Sequence, residues 1–395
     1  MFKLKPLMYR SIIVLAVMIV ALTVFRQEQI ASYCFDVSFV LVLLLYFTSF
    51  RNTTDNKICM CVIMITLICV IVNSLIQEAS LSFDYFKKMI FFFMTILFFQ
   101  ISDTIQPDSS LMRTIQISVT ALSGLMILYY FADTDSLYML YGYRTKYLLF
   151  HFTNPNLAGL FLCVFAMMQL GFSASAARPA AKLIHLVTAG FLTVFTFFTK
   201  SRSSEIVLVA FYVFCCFHWI TKRKLRISPF TAGLVAVFPM IFAILYMLVV
   251  NSTVITSAFS FLVEAGKGID ARVAIWKQAF TAWAQSPLIG AYSQISNGSG
   301  MSQMHNTHVD ILASYGIVSF ILTCVYLYRK VRSGETSGGE QYMHIAFLFA
   351  LILGIGEASL FSGGLCLYII IGSLLFLRRM EGTGAKEKKT EITNG

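Results

Sequence analysis

Residues 154–173 read NPNLAGLFLCVFAMMQLGFS, and the next charged residue is Arg178. Asn154 and Asn156 flank Pro155, and an unbroken apolar run follows. Wound as a helix, a run of about 20 such residues rises ~30 Å, the thickness of a bilayer's hydrocarbon. Working outward in both directions, comparable runs recur at 11–25, 33–50, 58–76, 86–102, 112–131, 183–199, 203–220, 230–250, 308–328, 341–356 and 362–377. The 395 residues are 58% hydrophobic and 12% charged, with a mean hydropathy of +0.77. Soluble domains carry about twice that charged fraction, so a water-soluble fold is excluded. Disordered, collagen-like and disulfide-rich secreted chains are excluded on the same figures. The pattern predicts an all-α, polytopic integral membrane bundle of about twelve transmembrane helices. Residues 1–377 read as a single transmembrane domain and 378–395 as a charged cytoplasmic tail.

Charge sets the expected orientation. With the N-terminus in the cytoplasm, twenty of the thirty lysines and arginines fall on the inner side, as the positive-inside rule requires. They include Lys3, Lys5, Arg10, Arg51, Arg178, Arg329, Lys330, Arg378 and Arg379. An even number of crossings then leaves both termini cytoplasmic. Lys3, Lys5 and Arg10 precede an apolar core as in a signal peptide, but Arg26-Gln27-Glu28-Gln29 follows in place of a small-residue cleavage site. The first span therefore reads as a retained anchor. The net charge of +11 is a topological signal, with no nucleic-acid partner implied. The nine cysteines lie in apolar spans and read as small packing residues; none has metal-ligand spacing.

Ionisable groups are almost missing from the expected midplane, where a transporter would place them. His185 lies near an inner helix end and Glu357 near an outer one. Polar residues gather instead at outer helix starts, in 132–154 (Asp133, Asp135, Arg144, Lys146), and in the long outer loop 251–306. Within that loop Asp270–Trp283 has helical spacing. Trp276, Ala279, Phe280 and Trp283 share one face, which predicts an interfacial helix lying on the membrane, with Arg272 at its edge. Asn297-Gly298-Ser299-Gly300 reads as a flexible element.

Three outward helix starts draw attention. Asn154 is placed to cap the sixth span, with Pro155 at its first position. Ser201-Arg202 opens the eighth, and Thr307-His308-Val309-Asp310 opens the tenth in the form of a capping box. Each presents unpaired N–H groups and a positive dipole end, which suits a phosphate as well as it suits ordinary capping. Arg202, beside Lys200, fits an interfacial anchor or a bidentate grip on phosphate. His305 in His305-Asn306-Thr307-His308 fits a solvated loop residue or a base working near neutral pH. Asp310, about one turn on, would orient an imidazole or cap the helix.

In order along the chain, Asn154-Pro155-Asn156, Ser201-Arg202, Arg272 with Trp276, Pro287-Leu288-Ile289-Gly290, and His305-Asn306 followed by Gly316 resemble the O-antigen ligase and O-antigen polymerase superfamily of bacterial envelope glycan enzymes. The likeness covers about 150–330. The family pattern ends Gly-x-x-Gly, whereas this chain has Gly316-Ile317-Val318-Ser319. The resemblance implies a glycosyltransferase of the bacterial inner membrane, active face outward. It would move a glycan from an undecaprenyl-diphosphate carrier to a glycan or lipid acceptor hydroxyl, by inversion and without metal or other cofactor. Such an enzyme makes O-antigen of lipopolysaccharide, capsule or exopolysaccharide. By position, Arg202 and Arg272 would hold the diphosphate and His305 would be the base or acceptor-orienting group. Asn154, Asn156, Ser201, Trp276, Asn306, His308 and Asp310 would support them. Membrane lipid, a flippase and a chain-length regulator are the further partners implied. Polymerase is preferred to ligase because 251–306 is short for docking a large lipid core. The main rival is a multi-span transporter or flippase of lipid-linked or small solutes.

Overall fold

A computed structural model describes residues 4–76, 83–106, 108–141, 145–152, 154–221, 225–251, 269–291, 304–332, 340–356 and 367–379. Glu357, Arg144, Asn297–Gly300 and most of the tail lie outside the described residues, as do 252–268 and 292–303 of the long loop. The helices are α1 (Leu4–Val24), α2 (Glu28–Ser49), α3 (Thr54–Ile76), α4 (Phe83–Thr104), α5 (Ser109–Ala132) and the single turn α6 (Thr134–Leu137). After a short hairpin come α7 (Pro155–Ser175), α8 (Pro179–Phe198), α9 (Arg202–Thr221) and α10 (Pro229–Asn251). The remainder are α11 (Ile269–Gln285), α12 (Thr307–Arg332), α13 (Glu340–Ile352) running into the 3-10 turn Leu353–Ile355, and α14 (Leu367–Leu377).

Among the described residues, nine helices are long and apolar enough to cross a membrane. α4 is as long, but Asp84, Lys87, Lys88 and Asp103 charge its ends; α13 and α14 are shorter apolar helices. Each expected span thus coincides with a helix. The one departure from helix is the antiparallel hairpin β1 (Tyr138–Tyr141) and β2 (Thr145–Leu148), pairing Tyr138 with Leu148. Its four-residue strands, Tyr-Met-Leu-Tyr and Thr-Lys-Tyr-Leu, sit in the segment 132–154 and are too short for a period to register.

α7 is the central post, with 89% of its apolar stretch buried. Lipid tails are as apolar as leucine, so helices here associate through close packing at small residues. A Cβ on Gly159 of α7 would stand 2.5 Å from Ser201 Cβ. One on Gly171 would meet the Met343 side chain of α13, and one on Gly356 would meet Ser203.

The bundle's two ends differ in their polar contacts. At the end expected to face inward, Arg10 pairs with Asp108 at 2.7 Å, and Asp103 takes Lys330 at 2.8 Å and Arg378 at 3.1 Å. Arg329 pairs with Asp55, and Arg379 donates to the Asp103 carbonyl. The opposite end, called outer below, holds the starts of α4, α7, α9 and α12. Among the described residues, every non-glycine residue with left-handed backbone is found there: Arg26, Phe150, His151, Lys200 and His305.

The interior is less apolar than the sequence implied. Gln169 Oε1 of α7 accepts from His185 Nδ1 at 2.7 Å, Gln116 Nε2 donates to His185 Nε2 at 2.8 Å, and Gln169 Nε2 donates to Thr120 Oγ1 at 3.2 Å. The residues are neutral amides and an imidazole satisfying one another, as hydrocarbon demands of polar groups.

Candidate active site

The site rests on a break in α12. Gly316 has φ 80° and ψ 175°, a region essentially confined to glycine. Into the break runs the strand of chain after α11. Ile317 N donates to the Pro287 carbonyl at 2.9 Å, and Ala291 N donates to the Ala313 carbonyl at 2.8 Å. A Cβ on Gly316 would lie 2.2 Å from Leu288 O, and one on Gly290 (φ 78°) 2.5 Å from Ser314 O. Asn73 of α3 seals the crossing by donating to Gly290 O at 2.5 Å. The Pro-Leu-Ile-Gly motif and Gly316 are therefore two halves of one backbone crossing. Ser319 does pack closely, its hydroxyl 3.9 Å from Cys69 Sγ. Gly316→Ala combines a forbidden backbone region with a backbone clash. It is expected to cost at least ~2 kcal/mol, read as a lowered Tm in detergent.

The start of α12 is fixed with equal care. Asn306 Oδ1 accepts from the backbone N–H groups of His308 and Val309, each at 3.0 Å. Asn306 is thus the N-cap, in place of the expected Thr307 capping box. Its Nδ2 donates to the Pro239 carbonyl at 2.8 Å, and His308 Nε2 donates to the Ala236 carbonyl at 2.7 Å. Pro239 lies inside α10, where it cannot donate to the carbonyl four residues back, that of Val235. Asn306 and His308 bond the Pro239 and Ala236 carbonyls one turn apart on α10, so both are structural couplers between α10 and α12. His308 is 3% exposed and stands behind the surface, not on it.

Trp276 joins α11 to the same place. Its indole N–H donates to Met304 O at 2.6 Å, and its ring lies edge-on to Tyr246 of α10 at 5.9 Å. Trp276 is 1% exposed, and Trp283 Nε1 donates to Pro287 O at 3.0 Å. The aromatic face of α11 therefore packs on protein, which corrects the expected seat in the lipid interface. The indole N–H groups find backbone acceptors inside the protein, a better settlement than an interface offers. One turn before Trp276 is Arg272, and one residue after Met304 is His305, both half-buried. A single indole bond thus holds their two segments together. His305 carries φ 49°, pinned between Met304 and the Asn306 cap.

Asp310 takes Lys88 Nζ of α4 at 3.1 Å and the Ser314 hydroxyl at 3.0 Å. This pairing corrects the readings of Asp310 as an imidazole partner or helix cap. Lys88 went unnoticed because paired lysines at a helix start read as solvated ends.

On the other flank, Ser201 is fully buried against Gly159, its Oγ 3.0 Å from Ser204 Oγ. Arg202 beside it is exposed. Asn154 caps α7 through Leu157 N at 2.8 Å, so its side-chain oxygen is engaged; Asn156 is half-buried beside it. Ser203 rests on Gly356, and the 3-10 turn before it packs against α9, α10 and α12. The start of α9 is thus seated against α7 at Gly159 and against Gly356 beside this turn. Among the described residues, no three His, Cys, Asp or Glu side chains gather as metal ligands do.

Fold and site define a multi-pass helical membrane protein whose cations, imidazole and helix starts collect at one end of the bundle. Residues 187–324, about a third of the chain, match the family model described as O-antigen ligase. The match runs from α8 into α12 and holds Arg202, Arg272 and His305, while Asn154 and Asn156 precede it. The match supports O-antigen ligase-type membrane glycan processing, with a lipid-linked glycan and an acceptor as the substrates that family implies. No curated protein and no solved structure matches the chain.

Proposed function

We propose that the protein transfers a glycan from an undecaprenyl-diphosphate carrier to an acceptor hydroxyl at the outer leaflet of the bacterial inner membrane, both termini being cytoplasmic. The observation that carries this reading is the Trp276–Met304 bond, which sets the Arg272 and His305 segments side by side at the outer end. Arg202 and Arg272 bind the diphosphate; the starts of α9 and α12 add their dipoles to it. The acceptor oxygen attacks the anomeric carbon, and the bond from that carbon to the diphosphate oxygen breaks. The diphosphate leaves with the electron pair while His305 takes the hydroxyl proton. Charge grows on the leaving group, so fixed guanidinium groups in a partly dry site stabilise the transition state more than the ground state. Displacement from the opposite face inverts the anomeric centre.

An apolar cavity of about 190 Å³ between α2, α3 and α4, lined by Phe39, Tyr46, Met60 and Phe93, supports lateral entry of a prenyl chain. Polymerisation is preferred to ligation, with a flippase and chain-length regulator as pathway partners. The discriminating experiment is deletion of the gene followed by sizing of surface polysaccharide. Loss of long chains with single repeats retained is the expected result. Full-length chains held on carrier lipid would instead identify a ligase. Unchanged polysaccharide, with solute flux in reconstituted vesicles, would favour the transporter reading.

A further inference from the structure

A second cluster occupies the outer end, built from segments that the transfer site does not use. Arg26 follows α1 in a left-handed conformation (φ 60°), where helices normally place glycine. Phe150 (φ 46°) and His151 (φ 61°) are left-handed in succession, just before α7. Two anchors hold that strain. Phe150 is fully buried and lies 5.6 Å from the Phe195 ring, and Phe152 stacks on Phe161 at 5.1 Å. Between them His151 is held half-exposed. Backbone strain that buried anchors enforce on a polar residue is a mark of a site.

The hydrogen bonds have one consistent direction. Arg26 Nε donates to His151 Nδ1 at 3.1 Å, so Nδ1 carries the lone pair and the ring hydrogen is on Nε2. Nε2 then donates to Tyr129 Oη at 3.1 Å, leaving the phenol's own hydrogen to donate elsewhere. Burial and the Arg26 cation hold the His151 pKa below its ordinary value, against the opposing pull of Asp133; the neutral ring this assignment needs is therefore the favoured one. Arg26 is exposed, and its two terminal nitrogens make no hydrogen bond among the described residues. The guanidinium edge and the phenolic donor flank the His151 ring, and both are groups that bind an oxyanion. Phe25 lies 5.1 Å from the Tyr129 ring, giving the cluster an apolar wall.

The cluster is continuous with the transfer site. The hairpin that ends before Phe150 carries Tyr147, over which Lys200 sits at 5.4 Å, and Ser201 and Arg202 follow directly. We propose that Arg26, His151 and Tyr129 form a carboxylate-binding subsite for an acidic sugar of the glycan handled at Arg202. The inference rests on the glycosyl-transfer reading and names its substrate class. A phospholipid phosphate has the same chemistry, but continuity with Lys200 and Arg202 favours the glycan.

Full-length protein in phosphatidylcholine nanodiscs, titrated calorimetrically with a uronic-acid-terminated trisaccharide and with its methyl ester, tests this. The acid should bind at least tenfold more tightly than the ester, and Arg26→Gly and Tyr129→Phe should abolish the preference. Arg26→Lys should lose most of it, since an ammonium lacks the fork. Glycine suits the left-handed position, so Arg26→Gly should keep or raise the Tm and a folding defect cannot mimic the result. Equal binding of acid and ester, failure of both to bind, or an unchanged preference in Arg26→Gly overturns the proposal. So does loss of the acid's binding on adding phosphatidylglycerol to the bilayer, which would assign the site to a lipid phosphate. Because binding is read without turnover, Arg272→Ala should retain the preference. Absence of transfer activity would therefore refute the parent reading and leave this result standing.

Discussion

Purified Arg272→Ala and His305→Asn proteins are expected to extend lipid-linked glycan ~10²–10⁴-fold more slowly than wild type, the range for removing a transition-state charge partner or a general base. The fall should be in kcat for His305→Asn, because a base acts on the proton in flight and adds little to ground-state binding. Arg272→Ala should also raise KM for the carrier lipid, since a diphosphate is charged before reaction as well as after. Asparagine tolerates the left-handed backbone that position 305 adopts, so the Met304 and Asn306 anchors on either side remain. Measured elongation at the wild-type rate in either variant would defeat the assignment. An unchanged Tm in both is required for the comparison to count.

Lys88→Met is expected to lower the unfolding free energy by ~3–5 kcal/mol, the cost of stranding one member of a buried ion pair. Asp310 is 8% exposed at its side chain and Lys88 15%, so neither recovers its hydration when the other is removed. The double variant Lys88→Met with Asp310→Asn should regain most of the loss, because no charge is then left uncompensated. Thermal unfolding of the four proteins in one detergent measures the coupling. If Lys88→Met melts within a degree or two of wild type, the pair is solvated and its role in holding the start of α12 is withdrawn.

Hydropathy made the helices legible, because each spanning run must be both apolar and long. The turns were less readable. Asn306 was visible as part of a motif, yet its second bond, to the Pro239 carbonyl far away in sequence, could not be read from it. Pro287–Gly290 and Gly316 could be noted as a pattern, but nothing local says that one backbone crosses the other. The aromatic stripe of α11 was correctly found at helical spacing. Periodicity cannot tell whether such a face meets lipid or protein, and here Met304 O decides it. His151 and Arg26 escaped notice because a lone histidine and a lone arginine in separate turns carry no shared spacing. The match over residues 187–324 likewise begins after both.

The salt-bridged inner end has a consequence for biogenesis. Asp103 leaves the translocation channel early, with α4, yet its partners Lys330 and Arg378 are synthesised hundreds of residues later. Until they arrive, a carboxylate lies near the membrane border with its eventual counter-ions unmade. Arg378, 2% exposed and bonded to both Lys330 O and Asp103, then works as a final latch. A chain halted before it would leave Asp103 short of one counter-ion and the Lys330 carbonyl without its donor.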